Sequence, residues 1–342
     1  MDYEAPSTAN TPIPFQTKAE TLNDARASSS LKVTIAGCGG CGINLARAFQ
    51  SNNAVDVKFF DTSMANTRPG EKAWKFGAGH GSGSMRAENA KTIESECPNI
   101  TDDEIGKADA AIVVFGSGGG SGGVIGPLLA REYHRRGMRV ICVVVTQADS
   151  LVSAKNTLNT LKSLSAIATK NDIYLPLVAL SNDQVPTRTA VDQVANRFLN
   201  ELVTILTTPT YEVDRNDRLN WISPQKVVGA SFGIKILSFQ FAEGDINTDV
   251  VIGFKSDEMV DSLLVLQNSP EEVGELPLPA SRLKKMGFYV EKQPRLVGRV
   301  SSDISAINQV IDHVDKMTNM EKAQKHSGLD RLASSGDEET FL

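Results

Sequence analysis

The chain has 342 residues, of which 41% are hydrophobic and 22% charged, and its formal net charge at pH 7 is -6. This length suits one large or two smaller globular domains. The acidic balance gives no support to nucleic-acid binding, and no lysine- or arginine-rich run changes that expectation. Because no apolar run reaches membrane-spanning length and residues 1–30 lack a signal-peptide pattern, we expect a cytoplasmic protein without a membrane partner.

The first half of the chain predicts an α/β fold. Residues 1–30 are polar and aperiodic, which predicts a mobile N-terminal arm. Apolar strand patterns then alternate with helical patterns, and this alternation predicts a parallel, Rossmann-like sheet covered on both faces, over residues 31–186. The predicted strands are Lys32–Ala36, Val55–Phe60, Ala110–Phe115, Val140–Val145 and Ile173–Leu180; the predicted helices are Ile43–Gln50, Arg86–Glu96, Val124–Arg136 and Leu151–Ala168.

The second half changes its pattern. Residues 187–209 predict a long central helix, and residues 210–301 predict a second, α+β domain. That domain combines predicted strands over Val227–Phe241, Val250–Phe254, Phe288–Val290 and Leu296–Val300 with a predicted helix over Glu258–Leu266. A C-terminal helix follows over residues 302–326, and residues 327–342 form an acidic tail.

A glycine-rich stretch lies between the third predicted strand and its helix. Gly116–Gly123 contains six glycines in eight residues, so the backbone can approach a ligand closely and direct its N–H groups at it. At a helix N-terminus such a loop favours an anion, and phosphate is the leading candidate. A flexible glycine-serine linker would have a similar composition, but linkers do not usually join a buried strand directly to an amphipathic helix.

A second glycine loop follows the first predicted strand. Gly37-x-Gly39-x-x-Gly42, with Asp61 after the second strand, matches the dinucleotide fingerprint and makes an NAD-dependent oxidoreductase a rival, with His134 or Lys155 as its acid or base. Two phosphate-facing loops suit a triphosphate better. Since the Walker pattern is absent, we expect a nucleoside triphosphate site without a P-loop.

The two cysteines in the first loop form a C-x-x-C pair. Cys38 and Cys41 have no second pair or histidine partners nearby in the sequence, so we do not expect a zinc site. Redox chemistry is a minor alternative for this pair.

Several segments together resemble the tubulin and FtsZ superfamily of GTPases. Gly37–Asn44 resembles its first nucleotide loop, and Gly118–Gly123 resembles its glycine-rich signature. Asp61-Thr62 falls at the family's acidic position after the second strand, and Gly77–His80 resembles the loop that senses the γ-phosphate. Asn182 and Asp192 match base-contacting positions, and Asp214 and Asp217 keep the D-x-x-D spacing of the catalytic loop. The resemblance covers roughly residues 31–325, and the chain is most similar to the phage-encoded tubulins.

The resemblance implies a GTPase that assembles into filaments, with GTP or GDP as ligand and Mg²⁺ held mainly by the phosphates. Its implied catalytic residues are Asp214 and Asp217, supplied by the next subunit of a head-to-tail homopolymer. The implied nucleotide-binding residues are Gly37, Cys38, Gly39, Gly40, Cys41, Gly42, Asn44, Asp61, Ala78, Gly79, Gly118, Gly119, Gly120, Ser121, Gly122, Gly123, Asp149, Asn182 and Asp192.

The C-terminal tail is a predicted polymer contact. Its acidic run and apolar tip, Asp337, Glu338, Glu339, Phe341 and Leu342, would dock on a basic patch of a neighbouring subunit. The candidate receivers are Arg135, Arg136 and Arg139, or Arg282, Lys284 and Lys285. The location would be the host cytoplasm if the protein is phage-encoded.

Simpler interpretations remain beside these implications. Asp214 and Asp217 could be only capping residues of a helix N-terminus, and the tail could be solvated. A scaffold that binds nucleotide without hydrolysing it is a third alternative to the GTPase and the oxidoreductase.

Overall fold

The computed structural model describes residues 30–182, 187–208, 213–242, 252–254, 260–266 and 295–334. Within these residues the strands are β1 (Val33–Cys38), β2 (Val55–Asp61), β3 (Ala73–Lys75), β4 (Ala110–Gly116), β5 (Arg139–Thr146), β6 (Tyr174–Ser181), β7 (Gly233–Ala242), β8 (Ile252–Phe254), β9 (Val260–Leu266) and β10 (Arg295–Ser301). The helices are α1 (Gly39–Arg47), α2 (Arg86–Glu96), α3 (Asp102–Ile105), α4 (Gly122–Arg135), α5 (Leu151–Lys170), α6 (Arg188–Thr207), α7 (Arg215–Ile222), α8 (Gln225–Val228) and α9 (Ser305–Ser334).

The strands form one sheet in the order β3-β2-β1-β4-β5-β6-β7-β10-β9-β8. The strands from β3 to β7 pair in parallel, whereas β10 pairs antiparallel with both β7 and β9. The first six positions repeat the order of a doubly wound α/β sheet, in which ligands bind beyond the carboxyl ends of the strands. The predicted parallel α/β sheet is therefore confirmed.

Alternation along β4 explains why helices cover both faces. Ala110, Ile112 and Val114 pack with residues of α1 and α6, and their neighbours Ala111, Val113 and Phe115 pack with α4 and α5 on the other face. All six side chains are buried. A strand that buries both faces needs an unbroken apolar run, which is the pattern that the sequence has at this position.

Two predicted helix starts lie too late in the sequence. The helix predicted from Ile43 begins at Gly39, and the helix predicted from Val124 begins at Gly122. The prediction treats the glycines at these positions as turn residues that expose the backbone to a ligand. Here Gly39 and Gly122 lie in the first helical turns. Glycine is needed at these positions because the segments pack closely: a Cβ on Gly122 would lie 2.9 Å from the Cys38 carbonyl oxygen.

The second half contains two further corrections. The helix predicted over Glu258–Leu266 is wrong, because Val260–Leu266 forms strand β9 between β10 and β8. The strand predicted from Val227 begins only at Gly233, and Val227 lies in α8. The strand predicted over Phe288–Val290 lies outside the described residues, as do residues 1–29 of the N-terminal arm and residues 335–342 of the tail. The C-terminal helix predicted over residues 302–326 spans Ser305–Ser334, so residues 327–334, which were predicted as tail, are helical. Within the described ranges, no helix is long and apolar enough to cross a membrane.

Candidate functional site

A cavity of about 400 Å³ opens at the carboxyl ends of the parallel strands. It extends from the end of β6 across β5, β4 and β1 to the segment that follows β2 and β3. Its lining residues are Cys38, Gly39, Gly40, Cys41, Asn44, Ser82, Ser84, Gly116, Gly119, Gly120, Ser121, Gly122, Val145, Gln147, Asn182, Arg188 and Asp192.

The glycine loop between β4 and α4 is held from behind by side chains of α5. Thr160 Oγ1 lies 3.0 Å from the Ser117 carbonyl oxygen and 3.2 Å from that of Gly123, and Asn156 Nδ2 donates to the Gly118 carbonyl oxygen at 3.1 Å. Because these carbonyls are turned towards α5, the amide side of the loop is available to the cavity. The loop leads into the N-terminus of α4, whose first turn has no acidic residue, so this wall favours an anion.

The junction between β1 and α1, where Cys38 is followed directly by Gly39, packs against the glycine loop. Gly39 has a φ of +67°, and a Cβ there would lie 2.7 Å from the Gly122 backbone nitrogen. The first turn of α1 has no acidic residue either. Two helix N-termini therefore point at one cavity, and their partial positive charges add.

The segment after β2 closes the far end of the cavity. Asp61 is 1% exposed and accepts hydrogen bonds from the Thr62 backbone nitrogen at 2.7 Å and from Asn66 Nδ2 at 2.6 Å. The Thr62 hydroxyl lies 2.6 Å from the Ser121 hydroxyl, which ties this segment to the glycine loop. Asp61 thus shapes the wall without lining it.

Polar groups gather at the opposite end, between β6 and α6. Asn182, Arg188 and Asp192 line the cavity there, and the Arg188 guanidinium lies 3.2 Å from a carboxylate oxygen of Asp149. Desolvation raises the pKa of the Asp192 carboxyl above its usual value. Cys41 faces the same region, and burial raises the pKa of its thiol to about 12, which keeps it protonated and unreactive at neutral pH.

Asp214 and Asp217 lie at the start of α7, away from this cavity. Asp214 Oδ1 accepts from the Asp217 backbone nitrogen at 2.8 Å, and Asp217 Oδ2 accepts from the Asp214 backbone nitrogen at 3.1 Å. Between them, Arg215 pairs at 2.6 Å with Asp109, the residue before β4. The cavity lies at the other end of β4, and a strand of seven residues spans roughly 20 Å. The two aspartates and the cavity therefore occupy opposite edges of the sheet.

Known proteins resemble this chain in sequence over about half of its length. No protein-family model matches the chain. The chain is 27% identical over 198 residues to a phage tubulin-like protein of Pseudomonas phage PhiPA3, covering 57% of this chain and 62% of that protein. It is also 27% identical over 209 residues to one of Pseudomonas phage phiKZ, covering 56% and 63%. The matched stretch thus spans somewhat less than two thirds of these relatives.

Solved structures extend the likeness over most of the chain. A protofilament of TubZ from bacteriophage PhiKZ gives a TM-score of 0.70 at 22% identity, covering 91% of this chain and 95% of that chain. The phage tubulin PhuZ with GDP gives 0.69 at 19%, covering 87% and 93%. An FtsZ dimer of M. jannaschii gives 0.58 at 16%, covering 84% and 92%. The chain has the tubulin/FtsZ fold. Its predicted resemblance to that superfamily, and within it to the phage tubulins, is confirmed.

The cavity includes many of the predicted nucleotide-binding residues. Those that line it are Cys38, Gly39, Gly40, Cys41, Asn44, Gly119, Gly120, Ser121, Gly122, Asn182 and Asp192. Those that do not are Gly37, Gly42, Asp61, Ala78, Gly79, Gly118, Gly123 and Asp149. Several of the latter support the wall from behind: a Cβ on Gly123, for example, would lie 2.6 Å from the Thr160 hydroxyl.

Sequence reasoning missed five lining residues, Val145, Gln147, Ser82, Ser84 and Arg188, and it included Gly116 only as part of the glycine-rich stretch Gly116–Gly123. Ser82 and Ser84 lie directly after Gly77–His80, in the same glycine- and serine-rich stretch, so their proximity was the available signal. Arg188, in the first turn of α6, had no signal beyond its place next to the central helix start.

The predicted tail contact involves residues that are only partly described. Of its candidate receivers, Arg135 and Arg136 both pair with Glu132, at 2.7 and 2.8 Å. Arg282, Lys284 and Lys285 lie outside the described ranges, and so do residues 335–342 of the tail, which carry its acidic run and apolar tip. In the described part of the chain, no group of three or more His, Cys, Asp or Glu side chains is arranged to hold a metal ion.

Proposed function

We propose that this protein is a GTPase of the phage tubulin type that assembles into head-to-tail filaments and hydrolyses GTP between subunits. The observation that carries the proposal is the separation of the cavity from Asp214 and Asp217 by the length of β4. Stacking subunits along the strand direction would bring the carboxylates of one subunit to the cavity of the next. The similar structures include a TubZ protofilament and PhuZ with GDP, which supports self-association and a guanine nucleotide for this chain.

The cavity suits a nucleoside triphosphate with its base at the β6 end. Asn182 and Asp192 offer an amide and a carboxylate there, and these groups can pair with the edge of a guanine. The glycine loops and the two helix N-termini would hold the phosphates. A Mg²⁺ bound mainly to phosphate oxygens would neutralise the charge that develops during phosphoryl transfer.

The two aspartates would position the attacking water. Each uses one carboxylate oxygen in the capping box, so the box fixes the orientation of both groups while the second oxygen of each can accept from a water. Capping and catalysis are therefore compatible roles. Asp214 is exposed and Asp217 half-buried, as a group that must meet another subunit needs to be.

The test of this function is the dependence of phosphate release on protein concentration. We expect hydrolysis per subunit to rise steeply at the concentration at which protein begins to pellet with GTP, because the site requires two subunits. The Asp217→Ala variant should bind GTP and pellet but release phosphate at least about 100-fold more slowly. A rate per subunit that is independent of concentration would contradict the shared site.

Two control ligands separate the alternatives. Pelleting with a slowly hydrolysed GTP analogue and no phosphate release with GTP would indicate a nucleotide-binding scaffold. Binding of NAD in preference to GTP would favour the oxidoreductase.

Docking of the acidic tail belongs to the same proposal. Removing residues 335–342, which leaves α9 whole, should raise the protein concentration needed for assembly in light scattering with GTP, because charge pairs with the neighbouring subunit are lost. Unchanged assembly would leave the tail as a solvated segment.

A further inference from the structure

Asn156 joins two separate walls of the cavity through one side-chain amide. Its Nδ2 lies 3.1 Å from the Ser84 carbonyl oxygen and 3.1 Å from the Gly118 carbonyl oxygen. The residue is 7% exposed. Since an amide nitrogen has two hydrogens and both neighbours are acceptors, the two bonds fix the orientation of the amide and use both donors.

The segment that Asn156 holds is strained. Ser84 has a φ of +61°, a left-handed conformation that residues other than glycine rarely adopt. Such a conformation persists only where its surroundings hold it. Further bonds lie alongside: the Met85 backbone nitrogen donates to the Ser82 carbonyl oxygen at 2.8 Å, and Asn89 Nδ2 donates to the same oxygen at 3.2 Å.

The strained segment presses directly on the glycine loop. A Cβ on Gly120 would lie 2.6 Å from the Ser82 hydroxyl and 2.8 Å from the Ser84 backbone. A movement of residues 82–84 would therefore displace Gly120. Asn156 donates hydrogen bonds on both sides of this contact, to the carbonyl oxygen of Ser84 and to that of Gly118, two residues before Gly120.

The order of strands places this contact at one end of the ligand. The base end of the cavity lies at β6, the glycine loop follows β4 in the middle, and residues 82–84 follow β2 and β3 at the far end. If the proposed function holds, the terminal phosphate of GTP lies nearest to residues 82–84, and GDP leaves that end empty.

We infer that Asn156 is a positioning residue that couples residues 82–84 to the glycine loop, so that the two walls close together on the third phosphate of GTP. The inference rests on the proposed function. According to this inference, Asn156 discriminates between GTP and GDP, although it is a buried side chain of α5 behind the cavity wall.

The test compares the affinities of GTP and GDP for two variants. Asn156→Asp keeps the shape but places a carboxylate against two carbonyl oxygens, and Asn156→Ala removes both donors. We expect either variant to lose about tenfold or more in GTP affinity and less than about threefold in GDP affinity, because only GTP reaches residues 82–84. Displacement of a fluorescent guanine nucleotide, at concentrations below those that give pelleting, measures both.

Asn171→Ala is the matched control. Asn171 lies just after the same helix, is exposed, and donates to the Ile167 carbonyl oxygen at 2.8 Å, so its removal changes a similar bond far from the cavity. We expect both affinities to stay within about twofold of wild type. Equal losses for GTP and GDP in the Asn156 variants, or no loss, would overturn the inference.

A measurement on the unmodified protein covers the case in which the Asn156 variants do not fold. Amide hydrogen exchange of residues 82–85 and 118–121 should slow together when GTP replaces GDP. Independent responses of the two segments would refute the coupling while leaving the GTPase proposal intact. A wild-type protein without affinity for GTP would overturn the proposed function and this inference with it.

Discussion

Gly120 is the residue at which the walls of the cavity leave no room. Ser82 and Ser84 occupy the space next to its Cα, because their atoms lie within 2.8 Å of the position that a Cβ would take. Gly119, next to it in the same loop, has nothing within 4 Å of its own Cβ position. Gly119 and Gly120 are adjacent glycines of one loop, but only Gly120 is crowded, so the same substitution at both positions is a controlled comparison.

Gly120→Ala should destabilise the nucleotide-free protein, because the new methyl group must displace residues 82–84. We expect a loss of about 1–3 kcal/mol in the free energy of unfolding measured with urea. Gly119→Ala should stay within about 0.5 kcal/mol of wild type. Equal effects of the two substitutions would contradict the packing described for Gly120.

Among the carboxylates of the described residues, Glu71 has a strongly lowered pKa. Its oxygens accept from Arg47 Nε at 2.7 Å and from Arg47 Nη2 at 3.0 Å, and the two side chains are 9% and 10% exposed. Chiefly because of this hydrogen bonding, the pKa of Glu71 falls to about 2. Arg47 also donates to the Asn44 side chain, so the pair supports a cavity residue.

The pH dependence of stability follows from this lowered pKa. The contribution of Glu71 is fully present above the ordinary carboxyl pKa of 4.5 and is lost as the pH falls towards 2, where the folded protein also takes up the proton. Glu71→Gln should therefore cost about 1–2 kcal/mol at pH 7, and the difference from wild type should shrink between pH 4.5 and 2. Urea unfolding at several pH values measures it.

Glu94→Gln is the control for this prediction. Glu94 also pairs with an arginine, Arg131 at 3.0 Å, but its side chain is 58% exposed, so its loss should cost less than about 0.5 kcal/mol at either pH. A Glu71 variant that behaves like the Glu94 variant would show that the half-buried pair of Arg47 and Glu71 adds little to stability.

At the scale of elements, α5 acts as the support of the glycine loop. Besides Asn156, its Thr157 hydroxyl lies 2.9 Å from that of Ser117 and donates to the Gln147 carbonyl oxygen at 2.6 Å. Thr160 is fully buried and contacts the carbonyl oxygens of Ser117 and Gly123. The polar side chains on one face of α5 thus hydrogen-bond to the backbone carbonyl oxygens of the glycine loop, which has few side chains of its own.

Thr160→Val tests this support. The Thr160 hydroxyl has a single hydrogen and lies within hydrogen-bond distance of three carbonyl oxygens, those of Asn156 at 2.7 Å, Ser117 at 3.0 Å and Gly123 at 3.2 Å. The valine keeps the shape but removes this donor, so we expect a loss of about 1–2 kcal/mol in urea unfolding. Thr169→Val makes the same change at an exposed position of the same helix and should be close to neutral. Similar losses at both positions would point to helix propensity as the cause.

The elements also show what the sequence could predict. Strands such as β4 were predictable because burial of both faces requires an unbroken apolar run, and Arg86–Glu96 was predicted with its observed bounds. Val260–Leu266 was not, since a short apolar run has no periodicity that separates helix from strand, and only pairing with β10 decides it.

The candidate site was predictable to a similar extent and for a similar reason. Glycine-rich loops directly after strands are recognisable in the sequence, because few features other than close approach to a ligand require so many residues without side chains. Ser84 and Gln147 reach the cavity only through the packing of segments distant in sequence, and Asn156 acts through backbone carbonyls. Contacts of that kind leave no local pattern.

At the scale of the molecule, a mixing experiment tests the division of the site between subunits. Asp192→Leu should weaken nucleotide binding but keep Asp214 and Asp217, and Asp217→Ala should do the reverse. In an equimolar random copolymer, about one quarter of the interfaces would combine an intact cavity with intact aspartates. We expect phosphate release at roughly that fraction of the wild-type rate, although each variant alone is inactive. No recovery, with both variants present in the pellet, would contradict the arrangement.

The salt bridge between Arg215 and Asp109 has a mechanical consequence. It fastens the start of α7 to one end of β4, and the glycine loop is the other end of the same strand. β4 is buried and hydrogen-bonded on both sides, so it cannot stretch or shorten. In a filament of the proposed kind, β4 would keep a constant distance between the nucleotide at its glycine loop and the nucleotide next to its α7. Exchange of GTP for GDP should then bend or loosen the joints between subunits and leave the length of each subunit unchanged.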